Sequence, residues 1–417
     1  MGSLRIGSAT ADITPDWPLD LAGFAARTEP SRGVSQPIHV RVAVLESDAG
    51  EAPTRSAIVS ADLVWWGPQH LPSLRRELSA VTGAPEDAIL FSATHTHSGP
   101  QTSTRTHPGV GVVDPLYLEL LTERTLAATR AALADLEPAT IRRHVGTHDL
   151  GFNRRPQFDP HGPVDPILTV IRFDRADGSP KTLMVHYACH PVITQEPLVS
   201  GEWPGVAMET LEASLGVTAL YLQGCCGDIN PHRPGTDQSL RGTDQVVVRE
   251  GRRFAAAVED VLATPGTALA PVPLRARNIT VDLPFAALPD EETLEPAADD
   301  PHHVAVWKRA LLAHPEWRTP TIPLRLQRLD LADGLALLAM DGEIVVTYGL
   351  RIRERSGGSV LPLGYANGMT GYVPTAKLIA EGGYEGGASI PWFFLPAPFD
   401  PSVEPTLNNA IDDALSG

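Results

Sequence analysis

The chain has 417 residues, 42% of them apolar, enough for a sizeable core built as two ordinary domains or one large α/β unit. A formal charge of −17 argues against nonspecific nucleic-acid binding, which needs Lys and Arg against phosphate, and against electrostatic attachment to anionic lipid. No stretch approaches the roughly 20 apolar residues that span a bilayer, and the start, Met-Gly-Ser-Leu-Arg-Ile-Gly, has no long apolar run. The expectation is a soluble, cytoplasmic protein that acts on a small molecule.

Along the chain, short Val/Ile/Leu-rich runs alternate with amphipathic segments. Residues 38–45, 56–64 and 88–93 read as strands, and 72–82 reads as a helix with Pro72 near its first turn. Asp114 is the expected N-cap of a long helix that begins at Pro115 and runs to about Leu136. Further strands are predicted over 140–148, 167–173, 182–189 and 218–223, and helices over 205–215 and 244–262. The acid- and Pro-rich stretch 288–301 reads as an exposed loop or seam. Runs at 324–331 and 335–340 flank Ala332-Asp333-Gly334, a hairpin signal, so some sheet is antiparallel. A helix-like pattern over 344–353 follows Glu343, and the apolar segment 390–395 is expected to pack a last strand into the core. This order predicts an α/β fold of mixed β-sheets flanked by helices. The three cysteines, Cys189 and the adjacent Cys225 and Cys226, read as small buried residues and form no disulfide framework.

Chemistry concentrates where strands end. In Ala93-Thr94-His95-Thr96-His97-Ser98-Gly99-Pro100, an extended chain would send both imidazoles to one face, a setting suited to a metal ion or to proton transfer. His190 follows the run 183–189 and precedes Pro191; its plainer reading is a buried core histidine. Asp228 lies in the glycine-lined turn Gly224-Cys225-Cys226-Gly227-Asp228-Ile229-Asn230-Pro231, and Glu343 stands between a strand and a helix, where a carboxylate also answers the helix dipole. His302, His303 and His314 carry no recognisable spacing and read as surface residues.

Taken in order, Thr94 to Pro100, Asn153-Arg154-Arg155-Pro156, Ala188-Cys189-His190-Pro191, Gly227-Asp228-Ile229-Asn230-Pro231, Gly342-Glu343, Tyr372-Val373-Pro374-Thr375 and Tyr384-Glu385-Gly386-Gly387-Ala388-Ser389 resemble the N-terminal catalytic domain of the neutral/alkaline, non-lysosomal ceramidase family. The opening Ile6-Gly7…Ala11-Asp12-Ile13-Thr14-Pro15 and the strand end Ser60-Ala61-Asp62 extend the match over residues 4–395. The resemblance implies one catalytic domain over 1–417 without a C-terminal immunoglobulin-like domain. It implies a Zn2+ site of His95, His190, Glu343 and Tyr372, with His97 beside the ion and Arg154 and Tyr384 holding the substrate or developing oxyanion. In the family motif Gly-Asp-x-Ser-Pro the serine is the nucleophile, whereas this chain has Asn230 there. The expected enzyme is therefore a zinc-dependent hydrolase that cleaves an amide by direct attack of zinc-activated water, with Asn230 as a hydrogen-bond donor and His97, Asp228 or Asp62 as general base. Glu202 borders the His190 loop in either a structural or a pocket role. An ester or lactone hydrolase, a metal-dependent lyase or isomerase, and a non-catalytic binding protein are the alternatives. Ceramide itself is not the expected substrate of an acidic chain with no amphipathic membrane helix.

Overall fold

The computed structural model describes residues 2–232, 236 and 238–416. The first elements are β1 (Leu4–Asp12), β2 (His39–Ser47), β3 (Thr54–Ala61), α1 (Leu71–Thr82), β4 (Ile89–Ala93), α2 (Pro115–Ala134), β5 (Glu137–Thr147) and β6 (Gly151–Asn153). Next come β7 (Ile167–Asp174), β8 (Pro180–Tyr187), α3 (Glu202–Leu215), β9 (Thr218–Gln223), β10 (Ile229–Pro231) and α4 (Asp244–Ala263). They are followed by β11 (Thr267–Leu269), β12 (Ala276–Pro284), α5 (Glu291–Leu294), α6 (His302–Ala313), β13 (Thr321–Ala332) and β14 (Leu335–Met340). The order closes with β15 (Glu343–Ile344), α7 (Val346–Arg355), β16 (Val360–Leu363), β17 (Tyr372–Val373), α8 (Ala376–Glu381) and α9 (Val403–Leu415).

Strands β2, β3 and β4 are buried along nearly their whole length, as expected of apolar runs covered on both faces. They belong to a sheet of order β4-β3-β2-β1-β5-β7-β8-β9, with β11 added beside β5. Helices α1 to α4 cover one face through a core that includes Leu74, Leu121, Met208 and Phe254. The other face, with Ile6, Ile58, Leu90 and Leu220, packs on a second sheet of order β12-β13-β14-β16 through Leu329, Leu337 and Leu361. Period two then sends Leu324, Leu326, Leu338 and Met340 to the far side, against Val403, Leu407 and Ile411 of α9. The layers run helices, sheet, sheet, helices. This is the mixed α/β class the sequence predicts, and the β13–β14 hairpin is antiparallel.

The large sheet curls until its two ends meet. Ser60 on β3 donates to the Tyr221 carbonyl on β9 at 2.6 Å, and the Gln223 amide spans the carbonyls of Thr94 and Cys189, both at 3.0 Å. The C-terminal ends of β4, β8 and β9 are thereby gathered at one place.

Several elements differ from the sequence reading. Glu343 and Ile344 form a strand pairing in parallel with Tyr372 and Val373, so the helix begins at Val346 and Glu343 is held by a ladder rather than by a helix dipole. The stretch 288–301 is not simply a loop: it contains α5, where Asp290 accepts the Thr293 N–H at 2.8 Å and Leu294 is fully buried. Residues Ile390–Phe393 form a 3-10 turn rather than a strand, because Pro391 fits its first turn. Asp114 does cap α2, accepting the Leu116 N–H at 2.9 Å.

The curl rests partly on Arg41 of β2. Its buried guanidinium pairs with Asp62 at 3.1 Å and Glu212 at 2.9 Å, while Asp62 also accepts the His39 N–H at 2.9 Å. Arg41→Met strands the Asp62 carboxylate without a cation and is expected to cost about 3–5 kcal/mol in urea unfolding. A loss below about 1 kcal/mol would place this pair with weak surface bridges and contradict its role.

Candidate metal centre

His95 stands just beyond β4, and the chain does not stay extended there. Thr94 and His95 donate their N–H groups to Ala61 and Leu63, and His95 adopts φ +67°, a left-handed conformation in which histidine is several-fold enriched. The two imidazoles meet as period two predicted, but a turn brings them together. The His95 Nδ1 lies 2.7 Å from the Val64 carbonyl, and the His190 Nδ1 lies 3.0 Å from the Ile229 carbonyl. A carbonyl only accepts, so both protons belong on Nδ1 and both Nε2 lone pairs face inward. These two atoms lie 3.5 Å and 3.4 Å from the Glu343 Oε2, and His97 Nε2 lies 3.1 Å from His95 Nε2.

Burial defines the electrostatics. His95 and His190 are fully buried, Glu343 nearly so, and only His97 is partly open to solvent. Burial pushes His190 down to about 4 and, with the neighbouring imidazoles, takes His97 well below its ordinary value. Burial would raise Glu343, but His95 and His190 outweigh it and hold the carboxyl well below the usual range. The buried His190 Nε2 and Glu343 Oε2 have no hydrogen-bond partner. The His190 Nε2 and Glu343 Oε2 lone pairs thus converge without a proton between them, which a divalent cation would satisfy. The 3.4–3.5 Å spacings between imidazole and carboxylate match the edge of about 3.4 Å that a tetrahedron with bonds of about 2.1 Å demands. His95, His97 and His190 form a group able to hold an ion, their ligand atoms all within 4.8 Å. The residues present therefore fit a metal.

Around this cluster the other residues take up distinct positions. Tyr372 sits opposite Glu343 in the β15–β17 ladder; its hydroxyl accepts from Arg154 Nη2 at 3.0 Å, and burial raises it well above its ordinary value. Arg154 also reaches the Asn230 Oδ1 at 3.3 Å and Glu385 at 2.7 Å. Asn230 in turn donates to Ser239 Oγ at 3.0 Å. Tyr384 leans edge-on to Tyr372, with ring centroids 5.2 Å apart, and is 42% exposed, so it borders the opening.

Asp228 has both oxygens engaged: it accepts the Val346 N–H at 2.7 Å and the Asn153 amide at 2.9 Å, starting α7 and fixing the loop before Arg154. Asp62 is committed to Arg41. Of the three sequence-derived base candidates, only His97 adjoins the cluster directly. The sequence reading assigned no role to Glu385, which pairs with both Arg154 and Arg155, or to Tyr365, whose ring lies tilted with its centroid 3.9 Å from that of His95. It also passed over Phe24, whose ring lies 4.8 Å from that of His97. Glu385 sat inside a quoted motif beside Tyr384; the other two lie in segments without any local signal. His303 and His314 stack on Trp392 and Trp317 instead of standing free.

The class defined so far is an αββα fold with a buried histidine–carboxylate centre, and comparison relates it to known proteins. The chain is 24% identical to the neutral ceramidase of Mycobacterium tuberculosis, over 93% of this chain and 74% of that protein. The crystal structure of neutral ceramidase from Pseudomonas aeruginosa superposes with a TM-score of 0.79 at 20% identity, covering 99% of this chain and 74% of that one. A ceramidase complexed with C2 gives the same TM-score at 19% identity, covering 99% and 75%. No protein-family model matches. The chain is a homologue of the neutral ceramidases, with their fold, as its motifs implied. Among the described residues no helix is long and apolar enough to cross a membrane.

Glu202 backs the His190 loop, with φ +57° and full burial. It accepts the N–H groups of Thr194 at 2.7 Å and Trp203 at 3.0 Å, while the Trp203 indole donates to the His190 carbonyl at 3.3 Å. Burial pushes its carboxyl from 4.5 up to about 7. Between those values the folded chain keeps a proton that the unfolded chain releases, so the group's stabilising contribution is whole below 4.5 and lost as pH rises through about 7. Glu202→Gln is expected to gain stability relative to the native chain between about pH 5 and about pH 8 in urea titrations. A difference that stays flat or moves the other way contradicts this placement.

Proposed function

We propose that the chain is a zinc-dependent hydrolase that cleaves an amide bond by direct attack of water. His95, His190, Glu343 and Tyr372 would hold the ion. The supporting observation is the set of inward-facing lone pairs: two Nε2 atoms fixed by backbone carbonyls, meeting a carboxylate oxygen that has no hydrogen-bond partner. When bound, zinc would supply Lewis acidity and bring water to a pKa of about 7.

The chain's own residues do the rest in this reading. His97, the one solvent-touched member of the cluster, takes the proton of the attacking water and returns it to the leaving amine. Arg154 and the exposed Tyr384 donate to the oxygen on which negative charge develops. Glu385 holds Arg154 in that position through its ion pair at 2.7 Å. Asn230 offers no nucleophile, so no acyl-enzyme forms there; its amide is held between Arg154 and Ser239 and serves as a donor. Asp228 contributes by positioning Arg154 and the start of α7.

The test is turnover of a panel of short N-acyl amides, esters and lactones by the zinc-loaded chain in ¹⁸O-labelled water. The reading expects one label in the released acid and amides cleaved alongside any ester. Glu343→Gln and Arg154→Met are each expected to lose about 100-fold or more in kcat/KM with the fold kept. Turnover that survives Glu343→Gln, or a product of unchanged mass, would overturn it; the latter would point to an isomerase.

A further inference from the structure

At the mouth of the site the charge balance reverses. The chain carries −17 overall, yet two arginines lie beside the aromatic neighbour of His97. Phe24, whose ring adjoins His97, has the guanidinium of Arg27 at 4.9 Å and that of Arg241 at 5.6 Å from its centroid. Neither arginine makes an ion pair with a carboxylate among the described residues. Arg27 is spent on structure: it donates to the carbonyls of Ala22, Gln195, Glu196 and His97 and to Ser98 Oγ. Arg241 is different. It is exposed, and among the described residues it donates only to the Val192 carbonyl, so most of its N–H donors have no partner among them. The neighbouring amides fix its backbone, Leu240 donating to Pro231 and Gly242 to Ile193.

Two described carboxylates near this wall are hydrogen-bonded to backbone N–H groups. Both Glu202 oxygens accept backbone N–H groups behind the loop, and the Glu196 carboxylate accepts the Asp244 N–H at 3.3 Å. Burial lowers the Arg241 pKa from its ordinary value, with Glu202 acting against that shift and Arg154 adding to it. An acyl chain entering here would meet a guanidinium on its way in, whereas an anion would find donors that no described residue takes up, backed by an aromatic face.

We infer that the substrate bears a carboxylate, which Arg241 binds at the mouth while Phe24 and His97 line the passage to the scissile bond. This makes the preferred substrate class N-acyl amino acids and related carboxylate-bearing amides rather than neutral lipids. The inference rests on the hydrolase reading for what happens to the ligand, not for its binding.

The test separates the two. Calorimetry on the zinc-loaded full chain compares the ketone isostere of N-hexanoylglycine, which has no bond to hydrolyse, with its uncharged carboxamide. The carboxylate is expected to bind about tenfold or more tightly at low salt, with the advantage shrinking as salt is added. Arg241→Gln is expected to erase the ratio and Arg241→Lys to keep part of it. Equal affinities, no binding of either compound, or a preference that survives Arg241→Gln would overturn the inference; survival would mean that the carboxylate is held at the metal centre instead. Hydrolysis of N-hexanoylglycine is followed in parallel. A binding preference without turnover defeats the hydrolase reading and leaves this one standing; turnover of amides without the preference does the reverse.

Discussion

The carbonyls of Val64 and Ile229 hold the Nδ1–H groups of His95 and His190, and those two bonds decide what the rest of the site can be. Each fixes a tautomer and a ring orientation, leaving Nε2 able only to accept. With the Glu343 oxygen also facing them, the His95 and His190 Nε2 atoms present electron pairs to a carboxylate. Burial away from water makes such an arrangement costly unless a cation completes it.

The fold supplies the placement by closing one sheet on itself. Strand ends that are far apart in sequence, after Ala93, Tyr187 and Gln223, are drawn together by Ser60 and Gln223, so that His95 and His190 face each other. A separate two-stranded ladder, β15–β17, delivers the other half and sets Glu343 and Tyr372 side by side in parallel register. Arg154 arrives from a third direction, on a loop pinned by Asp228. Asp228 thus touches both the Arg154 loop and the helix after Glu343, which accounts for its burial.

Much of this was legible in the residues. Continuous Val/Ile/Leu runs announced β2 to β4, Asp114-Pro115 announced α2, and Ala332-Asp333-Gly334 the hairpin, because each is a local steric or capping signal. The α/β class and the ceramidase resemblance followed from order along the chain. What was not legible depends on contacts made across the fold. The turn at His95 is set by Ala61 and Leu63, some thirty residues away, so the sequence suggested an extended segment. Glu343 looked like a helix N-terminal residue because its partner strand lies at Tyr372. Glu385, Tyr365 and Phe24 carry no motif that says which neighbour each will meet. Asn230 is the opposite case: its departure from the family serine is visible only in sequence, while its neighbours Arg154 and Ser239 are visible only in space.

The central claim is that His95, His190 and Glu343 converge to hold one divalent ion. It is tested most directly by elemental analysis of the purified chain after exposure to zinc and removal of the excess, with His95→Ala and His190→Ala treated alike. About one zinc per native chain, with neither variant retaining it while both stay folded, is the result this account predicts. A folded native chain that retains none, or variants that hold zinc as well as the native protein, would contradict it.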